Sequence, residues 1–408
     1  MNQRIENKLV SISPELYTWF GYMKPTLSHR YQNKSIETLD SYVERKNCRE
    51  HLVEPITRRM VYKPAYYAGK EAAECEVICP KICVTEIKDI YVHGGSGFMI
   101  DGETVISDRF EVNTNNRVLY KAGSVIAGNA KSIVLEIGDT SDHVSVAINL
   151  CGVAANNYYH FTIEIASRMA YIEELGIDRE VPVLLDEVIS DYPSYLALLK
   201  YVLRERKVIF VKSGDTVLVD RLYYPSMNTY LPFNLKHKRM KELADNVVAK
   251  SGLLFLRRCT ASIVSDNKWR GKRVFISRKN AEIKRVLNED EIKKVFEKFG
   301  FITIYPEEYS FEEQVQIFRT ASIVVGASGA GFTNLVYATP QLTFGCIIPE
   351  EYGFCVYSTI AHMVGCKILF LNESVKKRTR FISSDQTIVD LNRCNDYVSE
   401  LIALSRKK

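Results

Sequence analysis

Three groups of residues in this chain have the types and the spacing for chemistry. His160, Glu164 and Arg168 recur at i, i+4 and i+8, so a helix would carry all three on one face. Arg278 and Arg285 stand on either side of a short polar loop. The run I-V-V-G-A-S-G-A-G-F-T-N-L, from Ile323 to Leu335, sets Gly326, Gly329 and Gly331 between a β-branched apolar segment and a renewed apolar pattern. A strand, a Gly-rich turn and a helix start make an anion site. The first N–H groups of a helix lack intrahelical partners, and the dipole is positive there. Glycine also lets backbone approach a phosphate closely and take positive φ.

Each group has a plainer reading. A trio such as His160, Glu164 and Arg168 serves as a surface ion-pair ladder, and a Gly-rich turn joins a strand to a helix without any ligand. The glycine spacing is neither G-x-G-x-x-G nor a P-loop, since no G-K-[ST] follows. Convergence favours the site. Arg278 follows the predicted strand K-R-V-F-I-S at 272–277, Arg285 comes a short loop later, and the turn follows the predicted strand at 323–325. Open α/β sheets bind ligands beyond the carboxyl ends of their strands. Two arginines and a backbone nest facing one crevice therefore read as a diphosphate site. For the trio, the adjoining apolar stripe of Phe161, Ile165, Met169 and Ile172 near the helix start favours a functional role.

A chain of 408 residues with 46% hydrophobic content can bury a large core and is expected to form two domains. The formal charge of +5 is mild and its Lys and Arg are dispersed, which gives no footprint for nucleic acid. No apolar h-region opens the sequence and no later window of about 18 residues is continuously apolar, so a soluble, cytoplasmic protein is expected. The ten cysteines fit reduced, mostly buried thiols. Cys75, Cys79 and Cys83 form C-x3-C-x3-C without the second pair that a zinc site would use, and they read as structural. No D-x-D pair occurs, which speaks against an aspartate-held divalent ion; no metal cofactor is expected.

The elements that must position these residues fall into four segments. Residues 1–85 are an extension of unclear structure, with an aromatic cluster at Tyr17, Trp19, Phe20 and Tyr22. Residues 86–235 begin as a β-rich element (I-Y-V, F-M-I, T-V-I, V-L-Y, S-I-V-L-E-I), in which His93 and His143 read as solvated or structural, and continue as α/β. That second part holds a helix from Asn156 or Asn157 to Gly176, a strand at 181–186, a helix from Tyr195 to Leu203, and strands at 208–211 and 216–224. Residues 236–384 open with a helix from Lys236 to Ser251. Strands at 272–277, 301–305, 323–325, 342–348 and 367–371 then alternate with helices into a Rossmann-like domain. Capping boxes at Asn288–Glu291 and Ser310–Glu313 start two of those helices. Residues 385–408 form an amphipathic terminal helix, expected to pack back on the first domain.

Four motifs resemble the family 61 glycosyltransferases, whose members include bacterial capsule and lipopolysaccharide sugar transferases. They are N-Y-Y-H-F-T-I-E at 157–164, V-F-I-S-R-K-N-A-E-I-K-R-V-L-N-E at 274–289, E-E-Q at 312–314 with Ala321, and G-A-S-G-A-G-F-T-N at 326–334. The resemblance runs from about residue 145 to 370. It implies a GT-B arrangement, two Rossmann-like domains facing a cleft, and an inverting, metal-independent transfer from a nucleotide-sugar, a uridine diphosphate sugar first, to a glycan or lipid-linked glycan. It places Arg278, Arg285, Ser328, Gly329, Ala330, Gly331 and Asn334 around the donor phosphates. Two departures stand out: Ser328 occupies a position where many members carry His, and Gly345 and Cys346 stand where many carry Glu.

An inverting transfer needs a base for the acceptor hydroxyl and positive groups on the departing diphosphate. The first role is expected of Glu164 or His160, with Glu164 preferred, and the second of the arginines and the turn. The alternative is a catalytically weak or inactive nucleotide- or glycan-binding protein of the same architecture, for which Ser328 is the best support. The basic stretches Lys376–Arg378 and Ser405–Lys408 admit peripheral contact with an anionic inner membrane face, although a solvated tail is the simpler reading.

Overall fold

The β-branched run Ile82–His93 is the spine of the first unit, buried along most of its length because strands flank it on both sides. The computed structural model describes residues 31–62, 66–67, 69, 74–108, 123–128, 131–229, 248–264, 267–281, 283–349, 356–378 and 385–407. Met1–Thr57 with Cys79–Met240 form one unit, and Arg58–Ile78 with Lys241–Lys408 form the other. The expected aromatic cluster at 17–22, the V-L-Y strand at 118–120 and most of the Lys236–Ser251 helix lie outside the described residues.

In the first unit the expected β-rich element and the α/β part are one sheet of eleven strands among the described residues. Val208–Val211, Val183–Asp186, Thr140–Asn149 and Thr216–Pro225 run parallel. Ile82–His93 then pairs antiparallel with Thr216–Pro225 and hands the sheet to the short strands Met99–Asp101 and Thr104–Ser107. Tyr31–Thr38, drawn from the supposed extension, pairs parallel with Thr104–Ser107 and antiparallel with Ser132–Glu136. The two parts share one apolar layer, with Ile87, Ile90, Val92, Ala147, Leu184, Val217 and Leu222 in a single core cluster, so no boundary falls between them.

The second unit is a five-stranded parallel sheet in the order Phe301–Ile304, Arg273–Ile276, Ile323–Ala327, Thr343–Pro349, Lys367–Glu373. Counted along the chain that order is 2-1-3-4-5, so its switch point lies between Arg273–Ile276 and Ile323–Ala327. The Ser310–Glu313 capping box forms as expected, a device that contributes on the order of 1 kcal/mol. The one at Asn288 does not. The Asn288 side chain turns instead to Val389, accepting its N–H at 3.0 Å and donating to its carbonyl at 2.9 Å, because closing that long-range strap satisfies two backbone groups at once.

Two boundaries need correction. Residues 58–78 belong to the second unit, where Tyr67 N–H donates to the Phe370 carbonyl at 2.7 Å and Tyr66 and Tyr67 meet Phe370 and Tyr397 edge-on. The terminal helix Leu391–Arg406 packs on its own unit rather than being held back for the first: Cys394, Tyr397, Val398, Leu401 and Ile402 share a core with Val325, Ile347 and Leu369. Those five positions lie on one apolar stripe, and burying it against the sheet removes its surface from water.

His93 is structural. It is fully buried, its Nδ1 2.7 Å from the Ser96 hydroxyl and its Nε2 2.8 Å from the Glu136 carbonyl, and burial pushes its pKa from 6.5 down to about 4. Between those two values the unfolded chain binds the extra proton and the folded one does not. Stability therefore falls as pH drops from 6.5 toward 4, by up to about 3 kcal/mol. Asp186, held at about 6 by burial, acts with the opposite sign over an overlapping window. Comparison with His93→Gln isolates the histidine: the variant is expected to lose less stability on acidification in urea titrations at pH 7 and pH 5, and parallel losses in the two proteins would contradict this.

Candidate active site

In the first unit the segment that begins at Asn157 is not the uniform helix its periodicity predicts. Asn157 Oδ1 does accept the Tyr159 N–H at 2.9 Å, and Gly176 ends the segment at φ 63°. Between them the backbone forms a π-helix over His160–Ile165, a 3-10 turn over Ala166–Arg168 and an α-helix over Met169–Glu174. The stripe of Phe161, Ile165, Met169 and Ile172 is buried as predicted, with Phe161 stacked on Tyr195 at 4.3 Å. The altered winding separates the trio. Arg168 is fully buried and donates through Nε and Nη2 to the Pro225 carbonyl while lying over the Tyr224 ring, so it anchors the helix to the strand Thr216–Pro225.

His160 and Glu164 do meet. His160 Nδ1 stands 2.6 Å from Glu164 Oε2, and Thr229 Oγ1 donates to Glu164 Oε1 at 2.7 Å. Both carboxylate oxygens are thereby engaged, and Nδ1 carries the proton that Glu164 accepts. Burial alone would lower the His160 pKa, but the charge and hydrogen bond of Glu164 outweigh it and raise it above 6.5. Thr229 lies 65 residues from Glu164 in the chain, and no local spacing could announce it. π-Turns inside helices are frequent at functional sites.

The second unit brings the arginines to its switch point. Arg278 follows strand Arg273–Ile276, and its backbone N–H donates to Glu289 at 2.9 Å, so the first turn of the next helix fixes the loop. Arg285 Nη1 donates to Ser328 Oγ at 2.7 Å. Neither guanidinium forms an ion pair with a carboxylate among the described residues, and the Nε of each is buried without a hydrogen-bond partner. Burial pushes Arg278 down to about 10, and the charge of Arg285 adds to the push. Two neighbouring guanidiniums that keep unused donors are matched by an anion with several acceptors.

The glycine turn works by absence of a side chain rather than by positive φ. Gly329 is extended at φ 179°, a conformation open to any residue, but a Cβ on it would lie 1.8 Å from Arg278 Nη1. The Tyr357 hydroxyl holds the Gly329 carbonyl at 2.6 Å. A 3-10 helix, Ala330–Tyr337, replaces the expected α-helix, and its first amides at Ala330 and Gly331 are those a helix leaves without intrahelical partners. Two predicted site residues are otherwise occupied. The Ser328 N–H donates into the sheet to Ile347 at 2.9 Å, leaving only its hydroxyl for the crevice. The buried Asn334 amide donates to Gln314 at 2.9 Å, and Gln314 in turn holds the Pro306 and Tyr309 carbonyls. Gly345, where the resemblance would place Glu, has no room for one: a Cβ there would fall 2.5 Å from the Tyr397 hydroxyl.

Residues 158–345, which contain both clusters, match the model of the family Glycosyltransferase 61. Over that stretch the chain is similar to the family, and it is a glycosyltransferase. Like any member of that enzyme class it moves sugar from a donor to an acceptor. Among curated proteins none matches the chain. Two similar solved structures are a bacterial iron-containing dodecameric glycosyltransferase, TibC, from enterotoxigenic E. coli H10407 (9% identity, 87% of this chain and 93% of that one, TM-score 0.29) and the TibC heptosyltransferase with ADP-D-beta-D-heptose (10%, 68% and 80%, TM-score 0.27). At those scores neither bears on the fold or the chemistry.

Among the described residues of this glycosyltransferase no cluster of His, Cys, Asp and Glu is arranged to hold a metal ion, and no helix is long and apolar enough to cross a membrane. Of the C-x3-C-x3-C cysteines, Cys79 and Cys83 are buried free thiols, and the Cys75 side chain lies outside the described residues. A substitution tests the glycine turn. Gly329→Ala forces the flexible end of Arg278 aside without straining the backbone, so the melting temperature should change by less than about 2 °C while nucleotide affinity falls about tenfold or more. Unchanged affinity would show that Arg278 takes no part in binding.

Proposed function

We propose that this glycosyltransferase binds the diphosphate of a nucleotide-sugar, a uridine diphosphate sugar first, at Arg278, Arg285, the Ser328 hydroxyl and the amides of Ala330 and Gly331. Transfer is inverting and needs no bound metal, and the acceptor is a hydroxyl of a cell-surface glycan, capsule or lipopolysaccharide, free or lipid-linked. The overall arrangement is of the GT-B kind, with the donor on the second unit and the base on the first, in the cytoplasm and with at most peripheral contact to the membrane. The observation that carries the reading is the pair of guanidiniums at the switch point of a parallel sheet, each with an unused Nε and no ion pair among the described residues.

The base in this reading is His160, not Glu164, whose two oxygens are committed to His160 and Thr229. With Nδ1–H donated to Glu164, Nε2 is the nitrogen that takes the proton of the acceptor hydroxyl. The hydroxyl oxygen attacks the anomeric carbon as the bond to the diphosphate oxygen breaks, and the arginines stabilise the charge left on that oxygen. Glu164 and Thr229 position the imidazole. Ser328 also suits the weaker alternative, a nucleotide-binding protein without turnover, and measured transfer separates the two.

Thermal unfolding with millimolar UDP, GDP, CMP, TDP, ADP and NAD tests the donor site. A ligand at a hundredfold excess over Kd adds about 2.7 kcal/mol to stability. One nucleoside diphosphate should raise the melting temperature, and Arg278→Ala should abolish the rise; a response to NAD alone would overturn the reading. For the base, His160→Ala should lower kcat about 100- to 10,000-fold. Because the base must be neutral, kcat/KM should fall as pH drops through the raised His160 pKa. Glu164→Gln removes the charge that raises it and should move that acid limb to lower pH. Near-normal turnover in both variants would remove the pair from the mechanism.

A further inference from the structure

The second unit has another arginine-lined concavity at the opposite end of its strands. Helix Lys250–Cys259 supplies Leu254, Arg257 and Arg258, the turn after it Ala261, the last turn of helix Phe311–Thr320 supplies Arg319, and Tyr337 and Thr339 close the rim. The cavity is about 490 Å³, within the range of small-molecule sites. Arg319 lies just before strand Ile323–Ala327 and Thr339 just before strand Thr343–Pro349, so the cavity is a strand length, roughly 16 Å, from the Gly-rich turn.

Its charge is unmatched. Arg257 Nη1 donates to the Val336 and Ala338 carbonyls at 2.6 and 2.7 Å, and Arg319 donates to the Thr260 and Ile263 carbonyls. These tethers fix two guanidiniums and leave their charge without a counterion. No carboxylate among the described residues pairs with Arg257, Arg258 or Arg319, and the exposed Arg258 guanidinium makes no hydrogen bond there at all. Burial lowers the pKa of both tethered arginines, and Arg257 lowers that of Arg319 further, as like charges held together must. Beside this positive wall lie the half-exposed Leu254, Ala261 and the Tyr337 ring.

We propose that this cavity is a second anion site, distinct from the donor site, which binds a phosphate monoester or diphosphate through Arg257, Arg258 and Arg319 and seats an apolar substituent against Leu254 and Tyr337. A phosphate offers several acceptors to pre-fixed guanidiniums, and arginine forks match that geometry. The ligand is either a free phosphate compound or a phosphorylated lipid.

Titration calorimetry of the full-length Arg278→Ala protein, in which the donor site is disabled, with octyl phosphate and with inorganic phosphate tests the proposal. Octyl phosphate should bind, Arg258→Glu added to that background should weaken it at least tenfold, and Arg258→Lys should restore most of the affinity. In the otherwise unaltered chain Arg258→Glu should leave the nucleotide-induced thermal shift intact, so the two sites can fail separately. Equal affinity for the two probes would overturn the apolar seat, and octyl phosphate at least tenfold tighter without sedimentation on vesicles containing phosphatidic acid assigns a free phosphate compound. Octyl phosphate at least tenfold tighter, with sedimentation on vesicles containing phosphatidic acid but not on pure phosphatidylcholine, assigns the lipid. No binding of either probe, or binding that Arg258→Glu leaves untouched, would overturn it.

Discussion

The second unit holds two guanidiniums close together with no ion pair to a carboxylate among the described residues. Like charges in a partly buried crevice repel, and the fold must fix what electrostatics would spread apart. It does so from three sides. Glu289, in the first turn of its helix, takes the Arg278 backbone N–H; Ser328 takes Arg285; the bare Cα of Gly329 leaves the volume that the Arg278 guanidinium fills. The arginines are thus pre-organised, and a ligand that supplies the missing negative charge meets donors already placed.

The rest of the unit explains why those three sides are rigid. A 2-1-3-4-5 sheet opens a crevice where the strand order reverses, and Ile276 and Ala327 end on either side of it. Behind the strands the terminal helix covers the sheet, and its Tyr397 hydroxyl donates to the Leu369 carbonyl at 2.9 Å while occupying the space that a side chain at Gly345 would need. The bare Cα of Gly345 and the seat of this helix are one structural fact. In the first unit Arg168 plays the comparable part, trading its place beside His160 and Glu164 for a buried anchor on Pro225.

The second unit was legible because its signals are local. Alternating apolar strands and helices, the Ser310 capping box and Arg278 just past a strand end can each be read within about ten residues of sequence, and all took the expected places. What escaped was decided at long range. The strap from Asn288 to Val389 spans 101 residues, and Tyr67 finds Phe370 from a segment assigned to an unclear extension. The first unit's sheet interleaves strands from 31 to 225, so no composition shift marks its parts. The π-turn at His160 has no sequence sign, since spacing of i and i+4 fits either winding, and only Arg168 reveals that the register changed.

Ser328 is the residue on which an active enzyme and a binding relic would diverge, and its surroundings favour activity. A histidine there, if protonated, would add a third positive charge where burial and the charge of Arg285 already lower the Arg278 pKa. A serine hydroxyl accepts from Arg285 through its lone pair and keeps a proton to donate into the crevice. It fixes the guanidinium without competing with it. In the proposed reading the positive charge needed by a departing diphosphate resides in the two arginines, and the hydroxyl that accepts from Arg285 sets the angle at which that one is presented.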